Sequence, residues 1–444
     1  MLIGSLVYFY SINGRFKNVY LTYAGIGLIV SSYLLVSSES VTWPGFITIV
    51  PVLGACLFIL SNSNFSLYDN QLVKNLGLWS YSIYLYHWPL ILLAKHFELD
   101  FTGLLLFALL SIPLGALSYM YVERNRSRIM NVLFVMLVPI IILFSLLAQN
   151  NGLSSRYNAS VIKFDNSRND FDPSRSKCFD SSPNYCIYNG GKSIGYYSAI
   201  MPEKVDYILV GDSHAASVIT SLSRVLENKG KNVLFMGVVG CLPISGLNNI
   251  KDNHSRCNTL VDDFSKILDD NKDSKVVISA RYAFYFYGAN EDRLSGSKKS
   301  ILYSKDSTLP SSASDILKAN HFVKDKFSGD VCKLSQDREV FILSPIPEFR
   351  VNIPDYYLKQ SLIGDNIDDL VLPISDYNER NQIPLMIMKE LEFNCGVNVL
   401  SVADALCLNG TCNSIFNGSP AYFDENHLSE SGNRMLDSIF QRLN

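Results

Sequence analysis

No stretch of this sequence carries a run of like charge. Its net charge is −3 over 444 residues, so neither a basic patch nor an acidic tail is encoded, and nucleic acid is excluded as a partner. Metal-ligand spacing is missing too. There is no Cys-x-x-Cys and no paired-histidine spacing, so no metal site and no bound cofactor is expected. A secretory signal is also lacking: the apolar run at about 2–12 has no basic start and no small-residue cleavage site. That run is also too short to span a bilayer unaided.

What the chain does have is unevenly spread. Its length is too great for one ordinary domain and comfortable for two. Residues 1–150 are strongly apolar, whereas 151–444 have the composition of a soluble domain. The boundary falls near "AQNNGLSSR", 148–156, where polar and Gly/Ser residues replace an apolar run. Five runs approach the roughly 20 residues that a transmembrane helix needs, at about 18–36, 43–60, 76–94, 101–122 and 130–148. One such run alone reads equally as a buried core helix; five in series predict a transmembrane bundle.

Basic residues then set the orientation. Arg15 and Lys17 follow the first run, Lys74 lies in the loop 61–75, and Arg124, Arg126 and Arg128 lie in 123–129. The alternate loops hold almost none, Lys95 being the exception. Because basic loops stay cytoplasmic, counting forward places 151–444 on the outer side of the membrane. Eight of the nine cysteines lie there. An even number in an oxidising compartment reads as disulfides rather than buried free thiols. "CLNGTC" suggests Cys407–Cys412, and Cys178–Cys186 and Cys241–Cys257 are the next choices, leaving Cys332–Cys395.

From residue 205 strand-like and helix-like stretches alternate. The strands are "VDYILV" (205–210), "NVLFMGVV" (232–239), "KVVISA" (275–280), "EVFILSPI" (339–346) and "VNVLSVA" (397–403). Helical patterns lie near 215–229, 258–270, 313–327 and 378–392, with a last helix over about 430–443 that Ser429 can cap. Such alternation predicts a three-layer, doubly wound α/β fold around a parallel sheet. Sites in these sheets form at the carboxyl ends of strands.

"GDSH", 211–214, stands just there. Gly211 permits a tight turn, and Ser213 would open a helix whose free N–H groups and dipole favour a developing oxyanion. Gly-Asp-Ser alone is as well explained by helix capping. "YFDENHLSESG", 422–432, changes the reading. A serine hydroxyl needs a base; His427 can be that base, and Asp424, three residues earlier, can hold its tautomer.

These two blocks resemble the SGNH (GDSL-like) hydrolases over roughly 200–444. The resemblance implies Ser213 as nucleophile with Asp424 and His427 completing a triad. It also implies an oxyanion hole from the Ser213 N–H and that of Gly240 in "VVGCLP". The family's third block is usually Gly-x-Asn-Asp; here the strand end reads "ISARYAF", which puts Arg281 at the third donor position. In the apolar half, "LGLWSYSIYLYHWPL" (76–90) resembles the Ser-Tyr-x-x-Tyr-Leu-x-His-x-Pro pattern of acyltransferase family 3 membrane proteins. "YVERNRSR" (121–128) looks like their Glu-Arg-Pro ending, with Asn125 in place of proline. His87, ionisable within a predicted span, is a functional candidate, although a neighbouring helix could satisfy it.

The resemblance divides the chain into a partial family 3 transmembrane domain (1–129), a linking transmembrane helix (130–150), a linker or SGNH extension (151–200) and an SGNH-like catalytic domain (201–444). Members have about ten core helices, so the expectation is of an N-terminally truncated member, with a second chain as the possible source of the missing helices. The implied function is O-acylation of a bacterial surface polysaccharide, such as lipopolysaccharide O-antigen, by a multi-pass protein of the inner (cell) membrane. Its catalytic domain would be periplasmic, its donor acetyl-coenzyme A, and its acceptor a polysaccharide or lipid-linked glycan. A membrane-anchored carbohydrate esterase and an inactive remnant are the alternatives.

Overall fold

The computed structural model describes residues 18–35, 48–61, 70–97, 99–124, 126–149, 157–180, 185–249, 255–290, 302–304, 313–363 and 369–443. The run at 2–12, the pair Arg15 and Lys17, and most of the polar boundary at 148–156 lie outside them. The chain divides into two compact units, Met1–Gly152 and Leu153–Asn444.

The first unit is helical: α1 (Val19–Leu35), α2 (Ile49–Leu60), α3 (Gln71–His96), α4 (Phe101–Ser118) and α5 (Arg126–Gln149), with a π-helical turn, Tyr119–Glu123, ending α4. Asn70 and Asp100 cap α3 and α4 by accepting the N–H groups of Leu72 and Gly103 at 2.8 and 2.9 Å. Small residues let the helices pair closely. A Cβ on Gly25 of α1 would sit 2.6 Å from the Gly54 carbonyl oxygen of α2, and one on Gly115 of α4 would sit 2.6 Å from Ile83 of α3.

Among the described residues one helix, Phe101–Glu123, is long and apolar enough to cross a membrane. The multi-span expectation is supported only weakly by this one helix, and α2 is too short to span. The 12 residues of α2 rise only about 18 Å, short of the roughly 30 Å of a hydrocarbon core.

The second unit is built on a seven-stranded sheet. Its strands are β1 (Cys186–Asn189), β2 (Lys192–Tyr196), β3 (Tyr207–Gly211), β4 (Val233–Gly237), β5 (Lys275–Ser279), β6 (Val340–Leu343) and β7 (Asn398–Leu400). Their order across the sheet is β7-β6-β5-β3-β4-β1-β2. The five strands expected from the sequence are all present and mutually parallel. The sheet is nevertheless mixed, because β1 extends its edge antiparallel to β4, and β2 follows antiparallel to β1. That hairpin, in the stretch read as extension, turns at Gly190 and Gly191 with φ of 62° and 77°, a backbone that two glycines adopt at little cost.

Alternate residues of β3 face opposite cores. Tyr207 and Leu209 join the core that holds Ile219 and Leu222 of α6 (Ser213–Glu227) together with Leu436 and Phe440. Ile208 and Val210 join the core with Leu260 of α7 (Ser255–Asp270), Phe327 of α8 (Ala313–Asp337) and Ile387 of α9 (Gln382–Cys395). Helices on both faces make three layers, as expected.

Two expected helices are broken. The one at 378–392 splits into Ile374–Arg380 and α9, since Pro384 in the first turn of α9 has no N–H to continue an earlier helix. The last becomes three short pieces, Glu430–Asn433, Arg434–Leu436 and Asp437–Phe440. Ser429 caps the first piece, accepting the Gly432 N–H at 2.9 Å.

All four expected disulfides form: Cys178–Cys186, Cys241–Cys257, Cys332–Cys395 and Cys407–Cys412, with Cys56 free. Cys332–Cys395 closes a separation of 63 residues and Cys407–Cys412 one of 5. By chain entropy, removing the longer bridge is expected to cost about 4 kcal/mol and the shorter about 2 kcal/mol. Urea unfolding of the two double-serine variants measures this; equal costs would contradict the ordering.

Candidate active site

β3 ends at Gly211, where the chain turns into α6. A Cβ there would meet the Ser279 carbonyl oxygen of β5 at 1.8 Å, so glycine is required by close approach of the neighbouring strand rather than by turn freedom alone. Asp212 is the N-cap of α6 and is 1% exposed. Its Oδ1 accepts the His214 N–H at 2.8 Å, and its Oδ2 accepts the Arg281 N–H at 2.9 Å and the Tyr285 hydroxyl at 2.6 Å. One carboxylate thus ties the start of α6 to the end of β5. Burial, and next the charge of Asp212, hold the Tyr285 phenol well above its usual range.

Ser213 is the first residue of α6, so its N–H is one of the four that no intrahelical carbonyl can accept.

The second half of the site is the turn 421–429. Tyr422 and Leu428 form an antiparallel bridge across it, and the Phe423 N–H donates to the His427 carbonyl at 3.1 Å. A Cβ on Gly432 would lie 1.9 Å from the Ala421 oxygen, which leaves only glycine room behind the turn. From the segment after β6, the Phe349 N–H donates to the Glu425 carbonyl at 2.8 Å and the Ile353 N–H to that of Asp424 at 3.3 Å.

These supports bring Ser213, His427 and Asp424 into one line. His427 Nε2 lies 2.7 Å from Ser213 Oγ, and Nδ1 lies 2.6 Å from Asp424 Oδ2. The other carboxylate oxygen accepts the N–H groups of His427 and Asn426 at 2.7 and 2.9 Å. Burial pushes the Asp424 carboxyl upward, but its bond from the His427 ring, the charge of that ring and the two backbone donors outweigh burial and hold it below the usual carboxylate range. Asp424 is therefore an anion that accepts only. His427 must present its proton on Nδ1 and its lone pair on Nε2 to the serine hydroxyl. Such an arrangement can deprotonate Ser213 as it attacks a carbonyl.

Gly240 lies in the turn after β4, where the Val238 N–H donates to the Gly211 carbonyl at 3.2 Å. Its φ is 63°, and its own N–H has no partner among the described residues.

Arg281 follows the end of β5 and lies beside the cap of α6. Its backbone N–H is taken by Asp212, and its guanidinium pairs with Glu348 at 2.8 Å. Glu348 also pairs with Arg380 at 3.2 Å. Through its backbone N–H, Arg281 supports the cap of α6. His87 belongs to the helical unit, where its Nδ1 bonds the Tyr84 carbonyl at 2.6 Å within α3; the neighbour that satisfies it is one turn away.

Several residues at the site carry no motif signal. Asp212 reads only as a cap in the sequence. His214 and Asn426 lie inside the two blocks, but the contacts of His214 connect residues more than 200 apart in the chain; Phe423 lies in the second block and stacks on His427.

Residues 171–442 match the family model described as "SGNH domain (fused to AT3 domains)". No curated protein matches the chain. Among solved structures, the periplasmic domain of a lipopolysaccharide acetyltransferase from Salmonella ser. Paratyphi A is 16% identical, with TM-score 0.38 over 54% of this chain and 84% of that one. A putative arylesterase from Agrobacterium tumefaciens str. C58 is 10% identical, with TM-score 0.29 over 53% of this chain and 97% of that one.

Proposed function

Since the chain belongs to the family of SGNH domains that are fused to AT3 domains, we propose that it is a membrane-bound O-acyltransferase that carries an acyl group on Ser213 to a sugar hydroxyl. The observation that supports this reading most is the unbroken Ser213–His427–Asp424 line, with hydrogen bonds of 2.7 and 2.6 Å.

In the first half-reaction Ser213 Oγ attacks the acyl carbonyl while its proton passes to His427 Nε2. Asp424 accepts from Nδ1–H throughout and stabilises the imidazolium. The N–H groups of Ser213 and Gly240 are the proposed donors to the oxyanion. Collapse of the tetrahedral species returns the proton from His427 to the leaving group and leaves an ester on Ser213. In the second half a sugar hydroxyl gives its proton to His427 Nε2 as its oxygen attacks that ester, and Ser213 Oγ recovers the proton as it leaves.

The wider machine belongs to the same proposal. Residues 1–129 are read as part of an AT3 membrane domain, 130–150 as a linking span, and the second unit as extracytoplasmic. Four disulfides in that unit suit an oxidising compartment. Large exposed apolar side chains on α4 and α5, among them Leu105, Leu106, Ile141 and Phe144, suit a lipid-facing surface. On this reading the donor is acetyl-coenzyme A, the acceptor is a bacterial surface glycan such as lipopolysaccharide O-antigen, and a separate chain with further helices is a candidate partner. A covalent relay suits a donor and an acceptor on opposite sides of a membrane. His87 is the candidate group on the membrane side.

Turnover of 4-nitrophenyl acetate by the full chain in detergent, with and without oligosaccharide, tests the acceptor. Acetylated sugar should form at the expense of free acetate. Acetate alone at every oligosaccharide concentration would make the protein an esterase.

A further inference from the structure

His214 is the one site histidine for which the triad has no use, and it is 1% exposed. The Asn426 side-chain N–H donates to Glu425 Oε1 at 2.7 Å, so Asn426 Oδ1 is the acceptor of the 3.0 Å contact with His214 Nε2. The His214 proton is therefore on Nε2. Nδ1 is left as a buried acceptor with no partner among the described residues, a standing cost that a leucine of similar size would avoid. Packing alone does not call for an imidazole here.

The His214 ring meets the His427 ring edge to face, at 5.2 Å and 70°. Phe423 stacks flat on His427, at 5.3 Å and 5°. Phe171 in turn meets Phe423 edge-on at 5.5 Å, with the Arg175 guanidinium 5.5 Å from the Phe423 centroid. Two aromatic contacts at these distances restrict the tilt of the ring they hold.

We propose that His214 and Phe423 are positioning residues that clamp the His427 imidazole in the plane joining Asp424 to Ser213, with His214 also holding the 424–427 turn through Asn426. The proposal builds on the acyl-serine reading above. Burial first, with the charges of His427 and Arg281 adding to it against that of Asp212, pushes the His214 pKa down to about 3. It therefore remains neutral when His427 becomes an imidazolium, and no like charge opposes that step. An apolar ring would give the edge contact but could not donate to Asn426; glutamine can reach Asn426 with its own N–H but has no ring.

The test uses 4-nitrophenyl acetate and the full chain in detergent, with thermal midpoints measured alongside. His214→Leu should lower kcat about 100-fold with KM unchanged, as expected of a misplaced catalytic group. His214→Gln should recover part of that loss. Phe423→Leu, which keeps an apolar side chain but removes the flat face, should lower kcat about 10-fold with KM unchanged. Activity within twofold of wild type in folded His214→Leu would overturn the proposal. So would equal losses in the leucine and glutamine variants accompanied by equally lowered midpoints, because that pattern belongs to folding alone. Should His214→Leu not fold, Phe423→Leu decides: its proposed role stands only on a kcat loss without a KM change. Ser213→Ala, run in parallel, separates failure of the clamp from failure of the triad, since turnover surviving there removes the reading on which the clamp depends.

Discussion

Ser213→Ala is expected to abolish covalent labelling by a serine-directed organophosphonate and to lower kcat for an activated ester about 10⁴-fold or more. The size follows from what the single oxygen does. It lies 2.7 Å from His427 Nε2, and no substitute stands ready on the same helix, because Ser217 spends its hydroxyl on the His214 carbonyl at 2.8 Å. Alanine is a strong helix former, so α6 should keep its first turn and the loss should not come from unfolding. Circular dichroism of the variant checks that. Labelling that persists in Ser213→Ala would remove the serine from the mechanism.

Asp212→Ala should be the most damaging change that leaves the triad itself intact. The variant strands three donors, the N–H groups of His214 and Arg281 and the Tyr285 hydroxyl. It also removes the cap of the helix that Ser213 opens. The lost cap, which is the His214 N–H bond, costs about 1 kcal/mol, and each of the other two stranded buried donors roughly 1–3 kcal/mol, so a loss on the order of 4 kcal/mol in urea unfolding is expected. A displaced α6 terminus should also lower kcat about 100-fold. Asp212→Asn keeps one acceptor for the cap but turns an N–H₂ group toward donors, so it should fall between wild type and alanine. An alanine variant as stable and as fast as wild type would show that Asp212 anchors nothing.

The central parallel strands were legible because each is a short apolar run buried on both faces, as in "YILVG" at 207–211. The Ser213 and Asp424–His427 blocks were legible because each is local, and chemistry limits which residue types can serve one another. The supports were not. Asp212 bonds Arg281 across 69 positions, and His214 meets Asn426 across 212, and no local pattern encodes either pairing. The pair of Arg281 with the buried Glu348 was not legible either, because motif position gives a side chain's neighbourhood but not its partner. The β1–β2 hairpin did carry a signal, Asn-Gly-Gly at 189–191. Its place at the sheet edge depends on pairing with β4, which only the folded chain supplies.

The most direct test of acyl transfer through Ser213 is rapid-quench peptide mass spectrometry of the full chain in detergent, mixed with 4-nitrophenyl acetate. The account predicts an acetyl adduct on the peptide containing Ser213. That adduct should be absent from Ser213→Ala, accumulate in His427→Ala only slowly if at all, and decay faster when oligosaccharide is added as acetylated sugar forms. Turnover at an undiminished rate with no adduct on that peptide, or an adduct whose decay is indifferent to oligosaccharide while only acetate is released, would contradict it.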